Sequence, residues 1–152
     1  MIDLASELPR LMPHAIAWVH AQETEILVTG RPLTATEMRL AAVVGVRDSD
    51  RVRIKMVRQL AQPQHPALRA AADQTGLLGP GMAAITFGHG IYIREGYVCN
   101  RLVSHELRHV HQYEAAGSIA AFLATYLQQI VAVGYANAPL EVDARAHERD
   151  AP

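Results

Sequence analysis

The chain of 152 residues is long enough for one domain to bury a hydrophobic core without disulfides. Half of its residues are hydrophobic and 19% are charged, which excludes a disordered polypeptide. The net charge of −1, without a dense cluster of Lys and Arg, argues against a nucleic-acid-binding surface.

The first predicted elements are two helices. Apolar residues at helical spacing predict a helix within residues 7–29, and its early prolines place the regular start near Pro13. Thr34, with Glu37 three residues later, forms a capping-box pattern that begins the second helix. This helix is expected to run to about Val44 and to end at the following glycine.

The middle of the chain is predicted to be mostly extended. The basic stretch 47–58 alternates charged with apolar residues and indicates a strand with a charged face, centred on residues 52–57. A loop over 61–66 precedes a short helix over 66–75. Residues 82–93 are rich in β-branched and aromatic residues and are interrupted by two glycines, which predicts a strand with a central bulge or a tight bend.

The last third of the chain is predicted to be helical. Three helices are expected over residues 100–115, over 118–133 and from Pro139 to about Arg149. The fold class is therefore α+β, with a few short strands followed by three helices. We expect a single domain over 1–152.

No targeting or spanning segment is predicted. The N-terminus lacks a basic region followed by an unbroken apolar stretch, so it does not resemble a signal peptide. The longest apolar-rich stretch, 115–136, is broken by Gln, Ser and Gly, so no membrane span is expected. The single cysteine, Cys99, excludes an intrachain disulfide, is expected to be a small buried residue and favours a cytoplasmic location.

One motif carries chemistry. His105 and His109 are four residues apart in an H-E-x-x-H sequence, which places them about 40° apart on one helical face. Both rings can then reach one metal ion. Glu106 lies about 100° away from His105, where it can act as a general base rather than a ligand. The motif predicts a Zn²⁺ site with two histidine ligands.

A catalytic zinc site needs a third protein ligand. His111 lies about 200° around the helix from His109 and is expected to face away from the metal. Glu141, near the start of the last helix, is the favoured third ligand because it completes a His₂Glu site. Asp143 and His147 are the alternatives.

The string from Ser104 to Glu114, followed by a helix and a Pro-Leu-Glu-Val-Asp-Ala segment, resembles the gluzincin class of metallopeptidases. It is most similar to minigluzincins and to small uncharacterised bacterial H-E-x-x-H domains. The similarity covers residues 82–149, the metal-site portion, and leaves the N-terminal portion, 1–80, unmatched. It implies a zincin-like fold: a short mixed sheet, an active-site helix and two further C-terminal helices.

The resemblance also implies roles for residues. His105, His109 and Glu141 correspond to the three zinc ligands, and Glu106 corresponds to the general base. Peptide or protein would be the substrate, and a preceding segment could block the site in a latent form. The family often has an Asp where this chain has Arg145, which leaves the partners of the two histidines undefined. A cysteine ligand of the peptide deformylase type does not fit the position of Cys99.

Further residues near the motif are candidates for a catalytic role. Tyr113 lies close to the Glu106 direction on the helix and could stabilise an oxyanion, or it could pack against the next helix. Tyr135 and His147 are weaker candidates. Residues 83–93 resemble the edge strand by which zincins bind extended peptides, and simple sheet core is the alternative. His89, between two glycines, is expected to be an exposed turn residue.

The sequence therefore predicts a zinc-dependent hydrolase, most simply a small metallopeptidase with Glu106 as its base and Tyr113 as an auxiliary group. The alternative is a non-catalytic zinc-binding structural or interaction domain, in which Asp143 or His147 would join Glu141 and close the metal site. A metal-free helical domain is the third interpretation. The oligomeric state is left open.

Overall fold

The computed structural model describes residues 1–152, which form six α-helices and one four-stranded sheet. In chain order the elements are α1 (Leu4–Thr29), β1 (Arg31–Pro32), α2 (Ala35–Val43), a 3₁₀ turn (Ser49–Arg51), β2 (Arg53–Val57), α3 (Pro66–Thr75), β3 (Ala84–Phe87), β4 (Gly90–Arg94), α4 (Asn100–Ala116), α5 (Ile119–Val133) and α6 (Pro139–Ala146). The predicted α+β class is thereby confirmed.

The sheet is mixed and has the strand order β1-β2-β4-β3. β2 and β4 are parallel, whereas β1 pairs antiparallel with β2 and β3 pairs antiparallel with β4. β3 is therefore an edge strand. The central strand β4 is buried almost throughout, as expected for a strand covered on both faces.

Helices cover both faces of the sheet and produce two hydrophobic clusters. Ile91 and Ile93 of β4 pack with α2 and α4, whereas Tyr92 between them packs with α1, because successive side chains of a strand alternate between faces. The cluster on the α1 side also contains residues of α3, α4 and α5. Each of the two clusters thus contains residues of the N-terminal portion, 1–80, and of the metal-site portion, 82–149.

The first helix begins much earlier than predicted. α1 starts at Leu4 and contains both Pro9 and Pro13, so the expected start near Pro13 is wrong. Each proline lacks the N–H that would bond the carbonyl four residues before it, which disfavours an isolated helix. Here the apolar stripe that runs on from Leu11 and Ala15 is buried against the rest of the domain, and tertiary packing offsets the lost bonds.

Residues 82–93 form two strands joined by a two-residue turn at Gly88 and His89, so the tight bend is the correct alternative. Gly88 has a positive φ of 64°, which glycine adopts without strain, as at the first central position of type II′ turns. A Cβ on Gly90 would lie 2.9 Å from the Cβ of Ile26, so α1 approaches the sheet closely only because glycine stands there.

The remaining predicted elements agree with the structure within a few residues. The capping box at Thr34 and Glu37 is present, with both reciprocal hydrogen bonds formed. α6 is shorter than predicted and ends at Ala146. Cys99, expected to be buried, is exposed immediately before α4.

Each of the six helices is, by itself, too short or too polar to span a membrane. α4 and α5 meet that criterion of length and composition only when taken together across a bend of 116°.

Candidate metal centre

Two helices bring three metal-ligating side chains together. His105 and His109 project from the same face of α4, and Glu141 lies in the first turn of α6, which packs against α4. One ligand atom from each of the three residues lies within 4.8 Å of the others. Glu141 is only 1% exposed, and both histidines are at most 9% exposed. A buried carboxylate between two imidazoles is costly unless it is paired, and here it is paired twice.

The spacing of these atoms suits a tetrahedral ion. Oε2 of Glu141 lies 3.2 Å from Nε2 of His105, and Oε1 lies 3.2 Å from Nε2 of His109. Bonds of about 2.0–2.2 Å to zinc at tetrahedral angles separate neighbouring ligand atoms by roughly 3.3 Å. The two histidines and Glu141 therefore lie close enough together to hold the metal that the motif implies.

Without an ion, protons hold the cluster together. Burial alone would lower the pKa of His105, but its hydrogen bond to Glu141 and the charges of Glu106 and Glu141 outweigh burial and raise that pKa to about 9. The pKa of His109 is raised in the same way. Burial alone would raise the pKa of Glu141, but its hydrogen bonds with both histidines keep that pKa below its usual range. A divalent cation would take the place of the imidazole protons.

The outer nitrogens of both histidines are occupied, which directs the inner nitrogens to the cluster. Nδ1 of His105 donates to Oε1 of Glu148 at 3.1 Å, and Nδ1 of His109 donates to Oε1 of Gln112 at 2.7 Å. A neutral imidazole with Nδ1 protonated has its lone pair on Nε2, which faces Glu141. Partners of this kind orient metal-ligating histidines in general.

The alternative third ligands point elsewhere. Both oxygens of Asp143 bind the guanidinium of Arg108, at 2.8 and 3.2 Å, and one of them also accepts from the amide of Gln112 at 2.8 Å. Nδ1 of His147 donates to the backbone carbonyl of Asp143 at 2.8 Å. His111 bonds the carbonyl of Gly45 on the far side of α4, as its helical angle predicts. The structure thus brings Glu141, and neither Asp143 nor His147, to the two motif histidines.

Glu106 lies beside the three-residue cluster but outside it. Its carboxylate oxygen Oε2 accepts a hydrogen bond from Oγ1 of Thr86 at 2.7 Å. Thr86 belongs to the edge strand β3, so this bond joins the sheet to the motif helix. Glu106 is 4% exposed. Its position suits a base more than a ligand, because the group of side chains close enough to share one ion does not include it.

Three tyrosines lie around the cluster in different roles. The hydroxyl of Tyr126 donates to Oε1 of Glu141 at 2.7 Å, and burial raises the pKa of this hydroxyl far above its usual range. The hydroxyl of Tyr113 donates instead to the backbone carbonyl of Thr86 at 3.3 Å, while its ring stacks on the next helix, in contact with Phe122. Tyr135 lines the cavity described below, and burial and the charge of Glu141 raise the pKa of its hydroxyl. Both Tyr126 and Tyr135 therefore lie close to Glu141, and Tyr126 donates to it at 2.7 Å.

An apolar cavity of about 120 Å³ adjoins the cluster. Glu106, His109 and Glu141 form part of its wall, and 23 of its 28 lining residues are hydrophobic. α1, α3, β3 and α5 supply most of the rest, and no Lys or Arg lines the cavity. The polar groups of the candidate site therefore stand in a largely apolar enclosure, where electrostatic interactions are stronger than in water.

His89 lies in the turn between β3 and β4, as predicted, but the expected exposure is wrong, since its side chain is only 12% exposed. Its Nε2 lies 3.0 Å from Oε1 of Glu114, and its backbone N–H donates to Glu23. Glu114 also accepts from the backbone N–H groups of Arg47 and Asp48 at 2.7 and 2.9 Å. Asp48, His89 and Glu114 are the second group of side chains close enough to share an ion, but their hydrogen bonds already explain their convergence.

Comparisons of the chain with protein-family models, with curated proteins and with solved structures give no match in any of the three. The geometry of this site is therefore the basis for inferring a function.

Sequence reasoning missed three residues that contact the site: Thr86, Tyr126 and Glu148. Each is separated by 15 to 43 positions along the chain from the site residue that it contacts. Tyr126 and Thr86 occupy ordinary apolar-rich segments, and no spacing rule singles them out. Only Glu148 could have been suspected from the sequence, because it is an acidic residue near the helix of the third ligand and carboxylates commonly bind the outer nitrogen of metal-binding histidines.

Proposed function

We propose that the chain is a zinc-dependent hydrolase with a zincin-like fold of the gluzincin type, acting on peptide or protein. The observation that carries this proposal is the convergence of His105, His109 and Glu141 with Glu106 held beside them rather than among them. This is the His₂Glu ligand set with a separate base that hydrolytic zinc sites use.

The residues divide the chemistry between them. Zinc, when bound, would lower the pKa of a water molecule and polarise a substrate carbonyl. Glu106 would accept the proton of that water and pass it to the leaving amine. Thr86 orients the Glu106 carboxylate through its hydroxyl, and Tyr126 holds the Glu141 carboxylate toward the histidines.

The alternative of a closed, non-catalytic zinc site has less support. A closed site needs a fourth protein ligand, and the two predicted candidates are engaged elsewhere: Asp143 with Arg108, and His147 with a backbone carbonyl. The apolar cavity beside Glu106 gives a substrate group a place to lie. A metal coordination position without a protein ligand, next to a base, supports hydrolysis over a purely structural zinc site.

A peptide fits the surroundings of the site. β3 is an edge strand without a further strand partner, and its four residues line the cavity next to Glu106. Extended peptides bind proteins by adding a strand to such an edge. The predominantly hydrophobic lining favours an apolar side chain near the bond that is cut.

The test compares three proteins: wild type, Glu106→Gln and a matched control, Glu95→Gln, whose carboxylate is exposed. Each is loaded with zinc and incubated with a peptide library, and products are identified by mass spectrometry. We expect one zinc per chain in all three and a loss of cleavage by about 10²–10⁴-fold in Glu106→Gln alone.

Three results would count against the proposal. Equal cleavage by wild type and Glu106→Gln would show that Glu106 is not the general base. Zinc binding without any cleavage by wild type would favour the non-catalytic alternative, and absence of zinc from wild type would overturn both.

A further inference from the structure

The segment that follows α6, residues 147–150, lies on the first turns of α4. The backbone N–H of Arg149 donates to Oγ of Ser104 at 2.8 Å, and the side-chain amide of Asn100 donates to the backbone carbonyl of Asp150 at 2.9 Å. Neither contact involves a candidate metal ligand. The segment is therefore docked independently of the metal centre.

Docking brings one carboxylate of this segment to the metal centre. Oε1 of Glu148 accepts from Nδ1 of His105 at 3.1 Å, and Oε2 accepts from Nη1 of Arg101 at 3.0 Å. The Glu148 side chain is 21% exposed, whereas that of Arg101 is 60% exposed. Arg101 thus holds the carboxylate from the solvent side while the imidazole binds it from within.

The two histidines are oriented by different means. His109 depends on Gln112, a neutral residue of its own helix, which is anchored in turn by the backbone carbonyl of Leu140 and by Asp143. His105 depends on a charged residue from a separate segment. A carboxylate partner makes an imidazole a stronger ligand than a neutral amide does, because it stabilises the positive charge that metal binding draws onto the ring.

We propose that Glu148 is a positioning residue of the metal centre: its carboxylate accepts from Nδ1 of His105 and so orients the ring with Nε2 toward the ion, while the docking of residues 147–150 places Glu148 beside the ring. This inference rests on the proposed zinc site, but it concerns a residue outside the H-E-x-x-H motif and outside the ligand set.

The test measures zinc affinity by competition with a chromophoric chelator, not activity. Glu148→Ala is expected to bind zinc about 10–100-fold more weakly than wild type. Glu148→Gln should lie between the two, because its amide oxygen still accepts from Nδ1 but carries no charge. Asp150→Asn is the matched control in the same segment: it removes an exposed ion pair with Arg101 and leaves His105 untouched, so its affinity should stay within about threefold of wild type.

A second measurement separates positioning from general damage to the fold. Nitrogen-15 chemical shifts of the His105 ring in the zinc-loaded protein report which nitrogen carries the proton. Wild type should show a protonated Nδ1 and a metal-bound Nε2, and Glu148→Ala should show a mixture of ring states. Circular dichroism and thermal unfolding of the metal-free variants establish that each is folded. If Glu148→Ala does not fold, Glu148→Gln replaces it in both measurements.

The outcomes are distinct. Folded Glu148→Ala with wild-type zinc affinity and an unchanged His105 ring would overturn the positioning role while leaving the proposed function intact. An equal loss of affinity in Asp150→Asn would assign the effect to docking of the segment and not to Glu148, which also contradicts the proposal. Wild-type protein that takes up no zinc would overturn both this inference and the proposed function.

Discussion

The hydroxyl of Thr86 donates a hydrogen bond of 2.7 Å to the carboxylate of Glu106, and this bond ties the edge strand to the helix that carries the metal motif. Both residues are at most 5% exposed, so neither group has bulk water to replace its partner. The base proposed for hydrolysis is thus positioned by the strand along which a peptide would lie.

Replacing Thr86 with valine should lower the rate of hydrolysis and leave zinc bound. Valine has nearly the same shape but no hydroxyl, so the buried Glu106 carboxylate loses a donor and its fixed direction. We expect kcat to fall by about 10–100-fold, as is typical when a residue supporting a catalytic metal centre is lost. Thr86→Ser keeps the hydroxyl and should restore most of the rate. Zinc content and steady-state kinetics provide the check, and a Thr86→Val enzyme with wild-type kcat would disprove the role.

The third ligand can be tested by metal content. Glu141→Ala removes one of the three proposed ligands and should abolish stoichiometric zinc binding at micromolar concentrations. Asp143→Ala should keep one zinc per chain with weaker affinity, because Asp143 supports His109 only through Gln112. The opposite pattern, with zinc retained by Glu141→Ala and lost from Asp143→Ala, would identify Asp143 as the ligand.

Two tyrosine-to-phenylalanine variants should differ in their effects. Tyr126→Phe removes the 2.7 Å hydrogen bond to Glu141, and we expect zinc affinity to fall by up to about tenfold. Tyr113→Phe removes a 3.3 Å bond to the Thr86 carbonyl and keeps the ring stacked on Phe122, so it should cost about 1 kcal/mol of stability and change kcat less than threefold. A loss of kcat near 10²-fold in Tyr113→Phe at unchanged zinc content would instead support an oxyanion role for Tyr113.

Glu114 should make the stability of the protein depend on pH. Burial alone would raise the pKa of Glu114, but hydrogen bonds from the backbone N–H groups of Arg47 and Asp48 and from His89 outweigh it and lower that pKa below the usual 4.5. A carboxylate with a lowered pKa stabilises the fold fully above the pKa of the unfolded chain. This contribution is lost as the pH falls through the pKa of the folded state.

The difference in unfolding free energy between wild type and Glu114→Ala should therefore be about 1.5–3 kcal/mol at pH 7 and should shrink below about pH 4.5. Urea denaturation at both pH values measures it. Glu95→Ala is the control, since Glu95 is exposed and forms only a long ion pair with Arg58, and it should differ little from wild type at either pH. If the difference in unfolding free energy between wild type and Glu114→Ala does not change with pH, Glu114 is not a stabilising carboxylate with a lowered pKa.

Local sequence patterns predicted most of the helices well, because each carries its own start and stop signals. The capping box at Thr34, the proline and glycine that bound α3, and Gly117 and Gly134 after α4 and α5 all mark the ends that the structure shows. The start of α1 could not be predicted in this way. There the local signal of two prolines opposes helix formation, and only burial of the apolar stripe against the domain reverses it.

In the candidate site, too, some features follow from local sequence and others only from tertiary packing. The spacing of His105, Glu106 and His109 is set within one helix, so 3.6 residues per turn is enough to place the two imidazoles on one face and the base beside them. The sequence also narrowed the third ligand to a short segment. By itself, however, it left Asp143 and His147 as alternatives to the favoured Glu141, because residues on one helix point in different directions and the packing of that helix decides which one faces inward.

Only the tertiary structure chose between them and supplied the partners that the motif lacks. The packing of α6 against α4 turns Glu141 toward the imidazoles and Asp143 toward Arg108, while β3, α5 and residues 147–150 bring Thr86, Tyr126 and Glu148 to the same place. These contacts join residues far apart in the chain. Their geometry follows from how the helices and the sheet bury their apolar faces together, and no local pattern encodes that arrangement.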